Sequence, residues 1–111
     1  MNDLKQNPTL RDFQEHIAAF CKEWGWETNT YMEEFFLMTE EIGELAKAMR
    51  KASNFQTEEA KNKGEMTRFE LEEEFADVFN YLLNLANLFD VDMEKAYRAK
   101  FEYNKSRKWS Q

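Results

Sequence analysis

Two stretches, Thr39-Glu40-Glu41-Ile42-Gly43-Glu44-Leu45 and Glu73-Glu74-Phe75-Ala76-Asp77-Val78, decide how this chain reads. In each, two carboxylates stand three residues apart inside an apolar pattern of helical period. Residues so spaced share one side of a helix, so Glu41 with Glu44, and Glu74 with Asp77, can each grip one cation. The geometry only works if both stretches are helical, and their flanks point that way.

Upstream of the first stretch, Thr30 and Glu33 form a capping box that opens a helix running to about Lys51. Its expected core stripe is Phe35, Met38, Ile42, Leu45 and Met49, with Leu37, Glu41, Glu44 and Ala48 beside it. Around the second stretch, Thr67 and Glu70 suggest another box. The stripe Leu71, Phe75, Val78, Leu82, Leu85 and Phe89 is the most regular in the chain, flanked by Glu70, Glu74, Asp77, Tyr81, Asn84 and Leu88. Both carboxylate pairs therefore border a core stripe, where partial desolvation is expected. Between the two helices, residues 52–66 lose the period and gain charge, which predicts a loop of functional or assembly use.

Further out, residues 1–8 read as a tail closed by Pro8. Thr9, with Asp12, caps a helix whose stripe is Leu10, Phe13, Ile17, Phe20 and Trp24, stopped by Gly25. At the other end Asp90-Val91-Asp92 closes the third helix, and Asp92 caps a fourth. On that last helix Lys100, Asn104 and Arg107 share a face, with Trp109 just beyond. Three Gly and one Pro in 111 residues argue against a turn-rich β fold. The expectation is a single all-α, four-helix domain over residues 1–111.

Composition narrows the function. Fifteen Lys+Arg against 22 Asp+Glu leave a net charge of −7, which disfavours a general nucleic-acid binder. The lone Cys21 permits no internal disulfide, and its surroundings suggest a structural role. No apolar run approaches the ~20 residues of a membrane span, and the first residues lack the apolar segment of a signal peptide. A soluble cytoplasmic protein, with no membrane partner, is the expectation.

Four carboxylates, Glu41, Glu44, Glu74 and Asp77, offer the hard oxygen set that Mg²⁺ requires, with room for waters or substrate phosphates. The plain alternative is chance: an acidic chain carries Glu-x-x-Glu on solvated faces anyway. Duplication beside two core stripes favours the metal reading. With one His and no Glu-x-x-His pairs, zinc and di-iron sites are disfavoured. Lys100, Asn104 and Arg107 could hold phosphates, or simply oppose a helix macrodipole. Trp26 and Tyr81 could stack on a base, whereas Trp24, on the core stripe, reads as packing and His16 as a surface residue. Asn84, on the stripe of Asp77 and Tyr81, joins the candidate substrate contacts.

In order and helical context these residues resemble the MazG-like family of all-α nucleoside triphosphate pyrophosphohydrolases. The family signature Glu-Glu-x-x-Glu, then Glu-x-x-Asp, is matched by Glu40-Glu41-Ile42-Gly43-Glu44 and Glu74-Phe75-Ala76-Asp77. Glu-Leu-Ala follows the first motif, Asp-Val-Phe-Asn-Tyr-Leu-Leu-Asn-Leu-Ala completes the second, and Lys100…Asn104…Arg107 resembles the family's ending. The similarity covers about residues 10–109. It implies Mg²⁺-dependent hydrolysis of a (deoxy)nucleoside triphosphate to the monophosphate and pyrophosphate, often to clear noncanonical or surplus nucleotides. It also implies Glu41, Glu44, Glu74 and Asp77 as metal ligands, and Glu40 as a carboxylate supporting them or orienting the attacking water; either Glu40 or Glu41 could accept that water's proton. Lys100, Asn104 and Arg107 become phosphate contacts, and assembly as a homodimer or homotetramer completes the bundle. Two departures stand out. The interval from Glu44 to Glu74 is long. In deoxycytidine-triphosphate-type members a His precedes the base-side Trp, and if Trp26 matches that Trp, Ile17 rather than His16 takes the His position. Base preference is therefore not carried over. Two rivals remain: a non-catalytic acidic interaction module, and a phosphoribosyl-ATP pyrophosphohydrolase of the same fold.

Overall fold

The computed structural model describes residues 3–26, 29–53 and 64–109. Those residues form four helices and no strand: α1 (Leu10–Glu23), α2 (Tyr31–Ala52), α3 (Gly64–Leu88) and α4 (Met93–Trp109). Among them no helix is long and apolar enough to cross a membrane. The all-α expectation holds. The chain divides into two compact units, Thr30–Leu82 and the pairing of Met1–Asn29 with Leu83–Gln111, so α3 contributes to both.

In the unit Thr30–Leu82 the predicted capping box is present. The Thr30 hydroxyl accepts from the Glu33 N–H (3.2 Å), and the Glu33 carboxylate accepts from the Thr30 N–H (3.0 Å). The box expected at Thr67 is not a helix start, because α3 already begins at Gly64. Glu65 and Met66 are good helix formers and carry the helix one turn further back. Glu70 instead lies 3.9 Å from the Lys51 ammonium on α2. Of the predicted loop 52–66, Ala52 belongs to α2 and residues 64–66 to α3, while residues 54–63 lie outside the described residues.

The core stripes of this unit are corrected in phase. On α2, Phe35, Ile42 and Met49 are exposed, and the face turned inward is Glu34, Met38, Glu41, Leu45 and Ala48. On α3, Phe69, Phe75 and Leu82 are exposed, whereas Glu70, Glu74, Asp77 and Tyr81 are half-buried. An apolar arc wider than 100° can serve two neighbours, and the helical period alone does not say which side of it a given neighbour takes. Here the α2–α3 pair takes the side that carries the carboxylates.

The other unit is held by a polar clasp. The buried Gln14 of α1 donates its amide to Asn87 Oδ1 (3.0 Å) and the Val91 carbonyl (2.8 Å), and its Oε1 accepts from the Met93 N–H (2.9 Å). Asn87 returns a bond to the Gln14 carbonyl (2.9 Å). One side chain thus ties α1 to the end of α3 and the start of α4. Between those helices Asp90 adopts a left-handed backbone (φ 55), with Val91 N–H bonding the Ala86 carbonyl (2.8 Å) and Asp90 N–H that of Asn87 (3.1 Å). That is a Schellman ending with Asp in the position usually given to Gly. Asp92 then caps α4 through the Lys95 N–H (3.0 Å), as expected. At the far end of α1, Gly25 (φ 75) stops the helix. Trp24 is not a core residue, being 60% exposed. It leans on Phe20 and Trp26 in a three-ring cluster, so its apolar surface is shared with other rings near solvent. His16 is half-buried rather than fully at the surface.

Candidate metal centre

Three contacts between α2 and α3 run in opposite order along the two helices. Lys51 meets Glu70, and earlier on α2 Glu41 meets Glu74 and Asp77 further along α3. The helices are therefore antiparallel, and their inward stripes repeat at spacings of three and four. Two elements of ordinary regularity thus bring residues more than thirty positions apart to one point.

At that point one carboxylate oxygen from each of Glu41, Glu74 and Asp77 lies within 4.8 Å of the others, and all three residues are half-buried. Like charges this close resist ionising together. The strain shows on Glu41, whose carboxyl is pushed from 4.5 to about 7. Burial contributes most, followed by a hydrogen bond with Glu74 and the charges of Asp77, Glu74 and Glu44. Glu74 carries a second sign: its Oε2 is buried without any hydrogen-bond partner. A buried carboxylate oxygen left unpaired is costly, and a cation would satisfy it. Oxygen donors alone, with no imidazole or thiolate, suit a hard divalent ion such as Mg²⁺ rather than zinc. The residues present fit such an ion.

The three-oxygen group takes in none of the other predicted residues. Glu44 is exposed and outside the three-oxygen group, although its charge is felt at Glu41. Glu40 is exposed too, and its charge reaches Tyr81. Tyr81, one turn beyond Asp77, is half-buried with its phenol pushed up, first by burial and then by Glu34, Glu41, Asp77 and Glu40. Asn84 is buried and accepts from the Cys21 thiol at 3.5 Å. Trp26 is half exposed within its aromatic cluster. Lys100, Asn104 and Arg107 are all exposed on α4, where Lys100 (4.8 Å) and Arg107 (5.6 Å) sit over the Tyr103 ring. Glu34 escaped the sequence reading altogether. It is 3% exposed, on the same inward stripe as Glu41, and only its spacing from Glu41 hinted at it.

Three carboxylates converging from two antiparallel helices define an all-α protein with an oxygen-lined group that could hold a cation. Comparison with family models agrees with that class: the MazG nucleotide pyrophosphohydrolase domain matches residues 30–108, well over half the chain. The chain belongs to the MazG nucleotide pyrophosphohydrolase family. No curated protein matches it significantly.

Proposed function

We propose that this protein hydrolyses a (deoxy)nucleoside triphosphate to the monophosphate and pyrophosphate with Mg²⁺, clearing noncanonical or surplus nucleotides in the cytoplasm. The observation that carries the reading is the crowded cluster of Glu41, Glu74 and Asp77, with its unpaired Glu74 oxygen and the raised carboxyl of Glu41. Family membership supplies the substrate class.

In this reading Glu41, Glu74 and Asp77 would hold the ion, with Glu44 beside them. Bound there, Mg²⁺ would neutralise the triphosphate and lower the pKa of an attacking water. Water adds to one phosphorus flanking the α–β bridge, the P–O bond from that phosphorus to the bridging oxygen breaks with the electron pair going to the oxygen, and monophosphate and pyrophosphate separate. Glu40 and Glu41 are the candidates to take the water's proton. Tyr81 and Trp26 are proposed for the base from their aromatic faces, Asn84 as a substrate contact from its stripe, and Lys100, Asn104 and Arg107 for the phosphates from the resemblance. Assembly as a homodimer or homotetramer is part of the proposal. It is supported by the exposed apolar face of Phe35, Ile42, Met49, Phe75 and Leu82.

The test is pyrophosphate release from a panel of canonical and modified triphosphates, with and without Mg²⁺. Mg²⁺-dependent release that is lost in Glu41→Gln and Asp77→Asn is expected. Undiminished turnover in either variant would sink the assignment, and an interaction module would release nothing from any substrate.

A further inference from the structure

We propose that a second copy of this chain docks on the back of α2, with the two α2 helices antiparallel and crossing where Thr39 meets the partner's Gly43. The inference rests on the assembly named in the reading above and gives it a surface, a direction and a register. Along α2 the residues Glu34, Met38, Glu41, Leu45 and Ala48 recur at spacings of four and three, and they turn inward. The same spacings recur two residues out of step in Met32, Phe36, Thr39, Gly43, Ala46 and Arg50, and all of these are exposed. Two residues turn a helix by about 200°, so this second row lies opposite the first. A row of that spacing seats a neighbouring helix along its length. The described residues of the chain leave it open.

Gly43 marks the crossing. Glycine inside a helix lowers stability, and a Cβ there would meet nothing within 4 Å among the described residues, so packing among those residues does not account for it. Close approach of another helix does. Thr39, one turn earlier, suits the same burial, because its hydroxyl already donates to the Phe35 carbonyl (2.9 Å). Size and charge then select the occupant and its direction. A two-fold axis near position 41 sets Thr39 against the partner's Gly43, and the large Phe36 against the partner's small Ala46. On one flank Phe35 meets the partner's Met49, and Ile42 meets the partner's Ile42, all exposed apolar surface in the single chain. On the other flank Glu33 meets the partner's Lys47, which joins opposite charges from opposite ends of the helix. A parallel copy would stack Phe36 on the partner's Phe36 and set the charged flank against the apolar one. Glu40 meets the partner's Glu40 at the open edge, where solvent and salt screen the pair.

The experiment measures self-association of the full chain by sedimentation equilibrium and maps it by cysteine cross-linking. Gly43→Leu is expected to raise the dissociation constant of the pair about ten- to a hundredfold with helical circular dichroism retained. Phe36→Cys and Ala46→Cys chains are then oxidised separately and as a mixture, with the wild type, which carries only Cys21, as the control. A disulfide-linked dimer is expected in the mixture and in neither variant alone. Cross-linking of Phe36→Cys with itself would mean a parallel pair, and a mixture that associates without linking would mean another surface; either overturns the proposal. So does a Gly43→Leu chain that associates as tightly as the wild type, or a wild type that stays monomeric. Pyrophosphate release by a monomeric wild type would overturn this interface and leave the nucleotide reading standing. A dimer with the expected links that releases no pyrophosphate would support the interface and defeat the nucleotide reading alone.

Discussion

Two polar clusters sit between helices of this protein, and they are built on opposite terms. Around Gln14, both the amide nitrogen and the amide oxygen have partners at 2.8–3.0 Å, and Asn87 returns a bond to the Gln14 backbone. Around Glu41, three carboxylates crowd together, one oxygen of Glu74 has no partner, and the Glu41 carboxyl is pushed up to about 7. A satisfied network rigidifies the helices it joins. A cluster left unsatisfied spends stability on readiness for something the chain itself does not contain, which is what a ligand site requires. Removing a residue from the first cluster should therefore harm the fold, and removing one from the second should harm only the chemistry.

The largest effect expected is on turnover. Asp77→Asn or Glu41→Gln should lower Mg²⁺-dependent pyrophosphate release by about 10²–10³-fold, with far-ultraviolet circular dichroism unchanged. Either variant should also lose the rise in melting temperature that Mg²⁺ confers on the wild type. The mirror experiment is Gln14→Ala. It strands the Met93 N–H, the Val91 carbonyl and Asn87 Oδ1 at a part-buried place, at a cost of about 1–3 kcal/mol in urea denaturation. If Gln14→Ala proved neutral while Asp77→Asn unfolded the chain, the division between the two clusters would be wrong.

Much of this contrast was legible in the sequence, for physical reasons that also explain the gaps. Capping boxes are local, so Thr9 with Asp12 and Thr30 with Glu33 could be read directly. At Thr67 the same pattern was outvoted by the helix formers before it. Period three-and-four spacing identified the carboxylates that converge, because antiparallel helices preserve such stripes. It did not determine which side of a broad apolar arc would face inward. Phe35, Ile42 and Phe75 consequently lie outside, and Glu34, which the stripes did not include, lies buried. The Gln14 clasp left no signal at all, since Gln14 and Asn87 are 73 residues apart and neither belongs to a periodic apolar set.

An intermediate effect concerns the exposed apolar face. Placing a charge there, as in Ile42→Glu, should reduce the assembly measured by light scattering while leaving the helices intact, because Ile42 is 45% exposed within the chain. A protein that is monomeric before the substitution, and unchanged by it, would remove assembly from the proposal without touching the carboxylate cluster.

The smallest effect is the most diagnostic of stored repulsion. Glu41 has its carboxyl raised from 4.5 to about 7, so between those values the folded chain binds a proton that the unfolded chain has released. Stability from this group is therefore fully present below about pH 4.5 and is lost as pH rises through about 7. The capping carboxylates Asp12 and Glu33 run the other way. Each is held below its ordinary value, chiefly by a backbone N–H of Thr9 or Thr30, so their contribution is lost only as pH falls through that lowered range. Melting the Mg²⁺-free protein between pH 5 and 8 thus isolates Glu41. The melting temperature should decline across that interval. At pH 8, Glu41→Gln should be more stable than the wild type by about 1 kcal/mol, after solvent screening at a half-buried site. Saturating Mg²⁺ should raise the wild type above the variant again, since the ion supplies the positive charge that the proton supplied at low pH. A flat pH profile without the metal would mean that the three carboxylates do not repel one another, and the contrast with the Gln14 clasp would lose its physical basis.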